Sequence, residues 1–390
     1  MQPSDFPPPT SLAEQFPPEW ERLLSDWGEP RYRALQIFRW IYQRGVQNPA
    51  QMTDLPKRLR DKLTDGGLAA PAHVAQVQAS ADGTKKLLIE LADGKQVETV
   101  LIPRGSVAED DIFSPDGDAD DAQGEYGDPA YAAGAQEITQ CVSSQVGCAM
   151  GCAFCASGIA GLKRQMNASE IVSQVLLGRA ALDASSRLAG VVFMGMGEPL
   201  HNYNALARTI RLLSHPEGMG MSLRRITVST SGLVPEIDRL AKDFGGQVQL
   251  AVSVHAADTD TRTKLMPVNK KHPLSEVIAA IRRYPVPRRR RLTIEYTLVR
   301  GLNDSEQSAR TLARILRGLR AKVNLIPMNP VEGTGLAAPD EPVVERFQEI
   351  LRDEGLDTFL RRRRGDDIAA ACGQLALRGE ARKVRTLPLV

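Results

Sequence analysis

The sequence predicts an α/β fold in which a partial (β/α)6 barrel follows a small N-terminal helical module and a short β segment. Three observations carry this expectation. From residue 138 onward, strand-like apolar runs alternate six times with amphipathic helical patterns, as in a parallel sheet with helical crossovers. The glycine-rich and polar clusters each follow directly on one of those runs, where barrel enzymes keep their chemistry. Ahead of residue 104 the periodicity is first helical and then alternating.

In chain order, residues 11–65 read as short amphipathic helices forming an accessory module: Ala34, Ile37, Phe38 and Ile41 share a face, Arg31, Arg33 and Arg39 lie elsewhere, and Gly45 is the stop. Residues 70–104 read as a small β segment, with Ala81-Asp82-Gly83 and Ala92-Asp93-Gly94 as hairpin turns and a last strand over Gln96 to Ile102. Residues 105–136 lose all periodicity and read as an acidic mobile loop. Residues 137–376 are the barrel, with strands expected at Ile138–Ser143, Gly190–Met194, Arg225–Ser229, Val248–Val254, Leu292–Leu298 and Val323–Ile326. Helical patterns such as Ala168–Leu182 and Ser305–Leu319 lie between them, and residues 377–390 form a basic tail.

A chain of 390 residues that is 42% hydrophobic can bury a large core. Met1 to Thr10 carries Asp5 and prolines where a secretory signal needs a basic start and an apolar run, and no stretch reaches membrane-spanning length. A cytoplasmic protein without a membrane partner is expected. The net charge of +2 hides two populations: residues 105–136 hold nine acids and no Lys or Arg, so the remainder carries +11. Its basic residues cluster at Lys57-Arg58-Leu59-Arg60, Arg288 to Arg291, Arg361 to Arg364 and in the tail. Each run taken singly suits a solvated helix face or turn; together they suit a polyanionic partner.

Cys148, Cys152 and Cys155 form a C-x3-C-x2-C run. Three thiolates so spaced can hold three corners of a [4Fe-4S] cluster and leave one iron open for a reacting ligand. That iron can chelate the amino and carboxylate groups of S-adenosyl-L-methionine and deliver an electron to its sulfonium, which yields a 5'-deoxyadenosyl radical. A zinc knuckle would need a fourth ligand, and none of the five histidines is near. Five cysteines are an odd count, and oxygen-sensitive iron–sulfur chemistry favours a reducing compartment over a disulfide framework.

The remaining candidates lie at strand ends. Gly195 and Gly197 allow backbone to approach a ligand, and Glu198 can accept a hydrogen bond from an ammonium group; a dinucleotide loop would need a third glycine, which is missing. Ser229, Ser253 and Asn329 offer hydroxyl and amide groups for a ribose and a carboxylate, or else cap strand-end turns. His255, following Ser253 and Val254, either touches the cofactor or fills a niche beside it.

The phenylalanine before the last cluster cysteine gives the run the look of the radical S-adenosylmethionine superfamily. Longer motifs narrow the likeness: Cys141-Val-Ser-Ser-Gln-Val-Gly-Cys148, Val192-Phe-Met-Gly-Met-Gly-Glu-Pro199, Ser229-Thr-Ser-Gly-Leu-Val-Pro235, Leu265-Met-Pro-Val-Asn-Lys-Lys271 and Gly365-Asp-Asp-Ile-Ala-Ala-Ala-Cys372-Gly-Gln-Leu375. Together they resemble the RNA adenine-C2 methyltransferases (RlmN), loosely over residues 20–103 and closely over 138–376. The resemblance implies a radical SAM barrel, with Gly197, Glu198, Ser229, Ser253, Val254, His255 and Asn329 binding S-adenosyl-L-methionine. It also implies that Cys372 takes a methyl group by polar displacement, that its methylene radical adds to C2 of an adenine, and that the protein–RNA adduct is resolved by Cys141, with Glu98 accepting the C2 proton. A disulfide between Cys141 and Cys372 then closes each cycle and needs reduction.

The implied substrates are 23S rRNA at the peptidyl transferase centre and tRNA beside the anticodon. The implied partners are an electron donor such as flavodoxin or ferredoxin and a thiol reductant, with the enzyme a monomer. A sibling (Cfr-like) class places the methyl on C8 with the same thiols. Two departures from the pattern stand out: the acidic 105–136 stretch enlarges a connection that is usually short, and Gly161 to Asn167 keeps Arg164 but not the usual Arg-Asn-Leu.

Overall fold

The computed structural model describes residues 8–104, 135–361 and 364–375. The basic tail, and all but the last two residues of the expected acidic loop, lie outside the described residues; Gln136, assigned to that loop, already begins a strand.

The N-terminal module contains α1 (Pro17–Asp26), α2 (Arg33–Tyr42) and α3 (Lys57–Asp65). Prolines occupy the first turn of α1, where no donor is lost, and Glu19 folds back to accept from the Phe16 backbone N–H at 2.8 Å. Ala34, Ile37, Phe38 and Ile41 are all buried on one face of α2, as their spacing predicts. The module docks on the barrel through a buried bidentate pair, Arg208 to Glu19 at 3.0 and 3.1 Å. Removing one partner of such a pair typically costs about 3–5 kcal/mol.

Strands β1 (Ala72–Ala79), β2 (Lys85–Leu91) and β3 (Gln96–Pro103) turn at both expected hairpins, with Gly83 and Gly94 at positive φ. They do not stand apart: β3 pairs antiparallel with β4 (Gln136–Cys141), Val100 opposite Cys141, so the segment extends the barrel's own sheet. A two-residue ladder, β5 (Gln145–Val146) with β6 (Arg164–Gln165), flanks the short α4 (Ala156–Ala160). Then follow α5 (Ala168–Ala180), β7 (Ser186–Phe193), α6 (Tyr203–Ser214), β8 (Ile226–Thr230), α7 (Val234–Phe244), β9 (Gln249–Ser253), α8 (Thr259–Leu265), α9 (Leu274–Arg283), β10 (Leu292–Leu298), α10 (Glu306–Leu316), β11 (Ala321–Pro327), α11 (Glu341–Asp353) and β12 (Asp357–Leu360).

All six expected barrel strands are present, and the sheet order is β1-β2-β3-β4-β7-β8-β9-β10-β11-β12 with every pairing from β4 onward parallel. The seventh parallel strand, β12, has only four residues and an exposed aspartate at its start, too little pattern for periodicity to detect. Parallel pairing places Cys141, Phe193, Thr230, Ser253, Leu298, Pro327 and Leu360 at one end of the sheet. Among the described residues, no helix is long and apolar enough to cross a membrane.

Candidate active site

At that end lies a cleft of about 900 Å³, counted to its open mouth, whose walls include Cys148, Cys152, Cys155, Gly197, Glu198, Ser229, Ser253, His255, Asn329 and Cys372. Of the expected cofactor-binding residues, Val254 is the exception: its side chain is in the core, its N–H donates to the Glu295 carbonyl at 3.0 Å, and its own carbonyl accepts from Arg262. Cys141 lies buried beside Cys372, and Glu98 is buried on the neighbouring strand outside the cleft wall.

The loop after β4 owes its course to the polar residues of the 141–148 motif. The Ser143 hydroxyl donates to the Glu98 carbonyl at 2.6 Å and accepts from the Met196 N–H, while the Gln145 side chain accepts from the Glu198 N–H at 2.8 Å. The cysteine loop is tied further by Ala153 N–H to the Leu265 carbonyl and by Ala156 N–H to the Gly373 carbonyl. Burial foremost, and then the proximity of other cysteines, raise the Cys148 thiol to about 12 and push the Cys152 thiol well up; burial also raises Cys155. Thiols so placed are poor anions until a cation takes them.

No three His, Cys, Asp or Glu among the described residues converge as the ligands of a single ion do. The three cysteines instead ring one cleft, and two buried acceptors in its wall, Glu295 Oε2 and Asn329 Oδ1, have no donor. A three-thiol rim suits an iron–sulfur cluster, and the open acceptors suit the ammonium and hydroxyl donors of S-adenosyl-L-methionine.

Glu198 accepts from the Ser231 N–H at 2.7 Å, the Ser231 hydroxyl at 2.8 Å and the Leu200 N–H at 3.1 Å. Burial outweighs these bonds and raises its pKa. The glycines around it act first on the chain itself: a Cβ on Gly195 would stand 2.7 Å from the Val142 carbonyl, and one on Gly197, at φ +103°, 2.6 Å from the Gln145 side chain. They let the second strand-end loop lie directly against the first.

His255 holds φ +54° and is buried, its Nδ1 accepting from the Thr297 N–H at 2.9 Å and its ring edge-on to Phe154 at 4.8 Å. Burial, reinforced by the charge of Arg262, lowers its pKa from 6.5 to about 3. The ring is therefore neutral at working pH. Between those two values the unfolded chain binds a proton that the folded one refuses, so the stability His255 contributes is full above about pH 6.5 and lost as pH falls towards 3. The loss is about 1.4 kcal/mol per unit. Denaturant unfolding of the wild type and His255→Asn should therefore differ by about 3 kcal/mol less at pH 4 than at pH 7; a difference independent of pH contradicts this.

Cys372 opens on two spaces: the main cleft and a smaller cavity walled by Thr84, Val100 and Ala371 among others. Asn329 Nδ2 donates to its carbonyl at 3.0 Å, and the Arg361 guanidinium hydrogen-bonds its side chain. Burial opposes the Arg361 charge, yet Cys372, Glu295 and Cys141 around it hold its pKa above the ordinary value. Cys141 is raised to about 12, by burial first and by Cys372 next, with Arg361 pulling the other way. It rests as a neutral thiol.

Glu98 shares a strand face with Val100, the residue opposite Cys141. Its carboxylate pairs with the buried Lys86 at 3.1 Å, and Lys86 also donates to the Ala369 carbonyl, three residues before Cys372. Glu98 is thus not the solvent-facing strand glutamate that alternation alone allows.

Lys86, Glu295, Arg262 and Arg361 are functional candidates that the sequence reading passed over. Glu295 had a readable signal: Thr293, Glu295 and Thr297 alternate with Ile294 and Tyr296 on β10, which marks the face turned into the barrel. Arg361 was hidden within a run of four arginines read as surface charge. Of the other runs, Lys57 pairs with Asp61, Arg58 with Glu29, and Arg291 with Asp357 at the opposite end of the barrel.

Known proteins give the arrangement its context. Residues 142–312 match the radical SAM superfamily, and residues 13–66 match the ribosomal RNA large subunit methyltransferase N-terminal domain. The chain is 55% identical to the dual-specificity RNA methyltransferase RlmN of Sorangium cellulosum, over 97% of this chain and 98% of that one. It is 43% identical to a probable dual-specificity RNA methyltransferase RlmN of Heliobacterium modesticaldum, over 95% and 91%. The crystal structure of a radical SAM methyltransferase from Sphaerobacter thermophilus superposes with a TM-score of 0.82 at 44% identity, covering 94% of this chain and 99% of that one. With the three-cysteine cleft and the accessory helices both in place, the chain belongs to the RlmN family of radical SAM RNA methyltransferases.

Proposed function

We propose that this enzyme methylates C2 of an adenine in 23S rRNA, and of the adenine beside the anticodon in tRNA, through a methyl group first carried on Cys372. The observation that carries the reading is the position of Cys372, between the three-cysteine cleft on one side and Cys141, with the Glu98–Lys86 pair close by, on the other. Cys148, Cys152 and Cys155 hold the [4Fe-4S] cluster; Gly197, Glu198, Ser229, Ser253, His255 and Asn329, which line the same cleft, hold S-adenosyl-L-methionine. When bound, these groups supply a methyl donor and a 5'-deoxyadenosyl radical.

C2 of adenine lies between two ring nitrogens and is too electron-poor to attack a sulfonium methyl, so the protein needs a nucleophile of its own. Cys372 is that nucleophile, and Arg361 stabilises its thiolate during displacement. Its S-methyl group then loses a hydrogen atom, and the methylene carbon bonds to C2. The adduct radical would return one electron to the cluster that Cys148, Cys152 and Cys155 hold, and Glu98 takes the C2 proton. Cys141, once deprotonated, attacks the Cys372 sulfur; the sulfur–methylene bond breaks, and its electron pair picks up a proton to leave a methyl group on C2. Cys141, as a neutral thiol in the resting enzyme, does not compete for the methyl group.

The adenine must leave its stack to reach Cys372, and the basic remainder of the chain supplies phosphate contacts. The electron comes from a donor such as flavodoxin or ferredoxin, and a thiol reductant reopens the closing disulfide. The test is mass spectrometry of nucleosides from 23S rRNA and tRNA incubated with the purified enzyme. 2-Methyladenosine in both supports the reading; 8-methyladenosine would move the enzyme to the sibling class, and product in one RNA alone would restrict its substrate.

A further inference from the structure

Arg262, on α8, is wholly buried, 0% exposed. Its Nε donates to the Val254 carbonyl at 3.1 Å, Nη1 to Asn269 Oδ1 at 2.7 Å and the His272 carbonyl at 3.5 Å, and Nη2 to the Ser231 and Ser253 carbonyls at 2.8 and 3.3 Å. Every one of these acceptors is neutral, and among the described residues no carboxylate pairs with it. Hydrogen bonds to carbonyls satisfy the donors but bring no negative charge, and a buried cation without a counter-charge costs several kcal/mol.

What faces this cation is the cysteine loop. The helix that carries Arg262 ends at Leu265, whose carbonyl accepts from Ala153 N–H, adjacent to Cys152. Leu265 and Met266 pack with Ala156 in one apolar cluster that Cys152 and Phe154 adjoin. Burial drags the Arg262 pKa down to about 10, and the single charge-bearing group opposing that fall is Cys152. Ser231 and Ser253, whose carbonyls hold the guanidinium, also line the cleft that the three cysteines share.

We propose that Arg262 is the fixed counter-charge of the iron–sulfur cluster, a positioning residue that raises the cluster's affinity for its electron. The inference rests on the reading that Cys148, Cys152 and Cys155 hold the cluster. Three thiolates around a four-iron, four-sulfide core give a net negative charge that grows by one on reduction. A buried positive charge beside one ligand therefore favours the reduced state, in a medium where screening is weak. The electron comes from a low-potential flavin or iron–sulfur donor; Arg262 takes up no proton and forms no bond in the step.

The test uses the full chain, reconstituted anaerobically, with iron and sulfide content measured before a redox titration followed by electron paramagnetic resonance. Asn269→Asp places a carboxylate on the guanidinium while leaving Arg262 in place, and Arg262→Gln removes the charge. Each should make the cluster at least tenfold harder to reduce, a fall in midpoint of about 59 mV per tenfold for one electron, while Arg262→Lys stays closer to the wild type. An unchanged midpoint in a cluster-loaded Asn269→Asp or Arg262→Gln overturns the proposal. If neither variant retains a cluster, loading decides: Arg262→Lys loading like the wild type supports the charge, and Arg262→Lys loading no better than Arg262→Gln overturns it. Failure of the underlying reading looks different, because Cys152→Ser would then load a cluster as well as the wild type does.

Discussion

Replacing Cys141 with alanine should leave the enzyme covalently joined to its RNA. The bond from the Cys372 sulfur through the methylene to C2 would form as usual, because neither the cleft nor Arg361 depends on the Cys141 thiol for its position: Arg361 is held by its own N–H to the Leu325 carbonyl and by Cys372 and Glu295. Release would fail for want of a second sulfur. Turnover should stop after about one event per enzyme, and a protein–RNA species should appear on denaturing gels. The Cys141→Ala, Cys372→Ala double variant should show none. Cys141 is small and buried, so alanine removes little volume and the fold should lose no more than about 1–2 kcal/mol. Absence of adduct from a cluster-loaded Cys141→Ala preparation that still consumes S-adenosyl-L-methionine would sink the exchange between the two thiols.

Arg361→Gln should slow the loading of Cys372 with methyl. A hydrogen bond to a charged group is worth roughly 1.5–3 kcal/mol, and in the proposed mechanism the charge it serves is the Cys372 thiolate that attacks the methyl donor. The expected loss is roughly tenfold to a hundredfold in the single-turnover transfer of labelled methyl to protein. Arg361→Lys keeps the charge without the planar fork and should recover part of that rate. Lost packing alone would not be repaired by lysine, so the two variants together separate charge from structure. Loading at the wild-type rate in a folded, cluster-bearing Arg361→Gln contradicts the assignment.

Much of this architecture was legible in the chain, and the exceptions have physical causes. Six parallel strands declared themselves because they are largely buried and rich in Val, Ile and Leu, and because Gly, Ser and Asn cluster where the runs stop. Asp357–Leu360 escaped because four residues with one exposed carry too little pattern. The joining of the 70–104 strands to the barrel was hidden for another reason: β3 meets β4 across the long acidic stretch, and pairing at such separation leaves no local trace.

At the site, the cysteines were found because their spacing is itself the signal. Buried charges were missed because a sequence shows the charge and not its direction. Arg361 was grouped with the arginines beside it, although its guanidinium is placed against the two thiols. Arg262 lies among Asp260, Lys264 and three threonines on a polar helix that gives no hint of a fully buried side chain.

The central claim is that Cys372 carries the methyl group between donor and RNA. Its most direct measurement is mass spectrometry of the peptide containing Cys372, from enzyme purified anaerobically out of cells making their own S-adenosyl-L-methionine. The account predicts one methyl group on the Cys372 sulfur of the wild type, and a nucleotide joined through a methylene to the same sulfur in Cys141→Ala. An unmodified Cys372 in a preparation that nevertheless methylates RNA would contradict it.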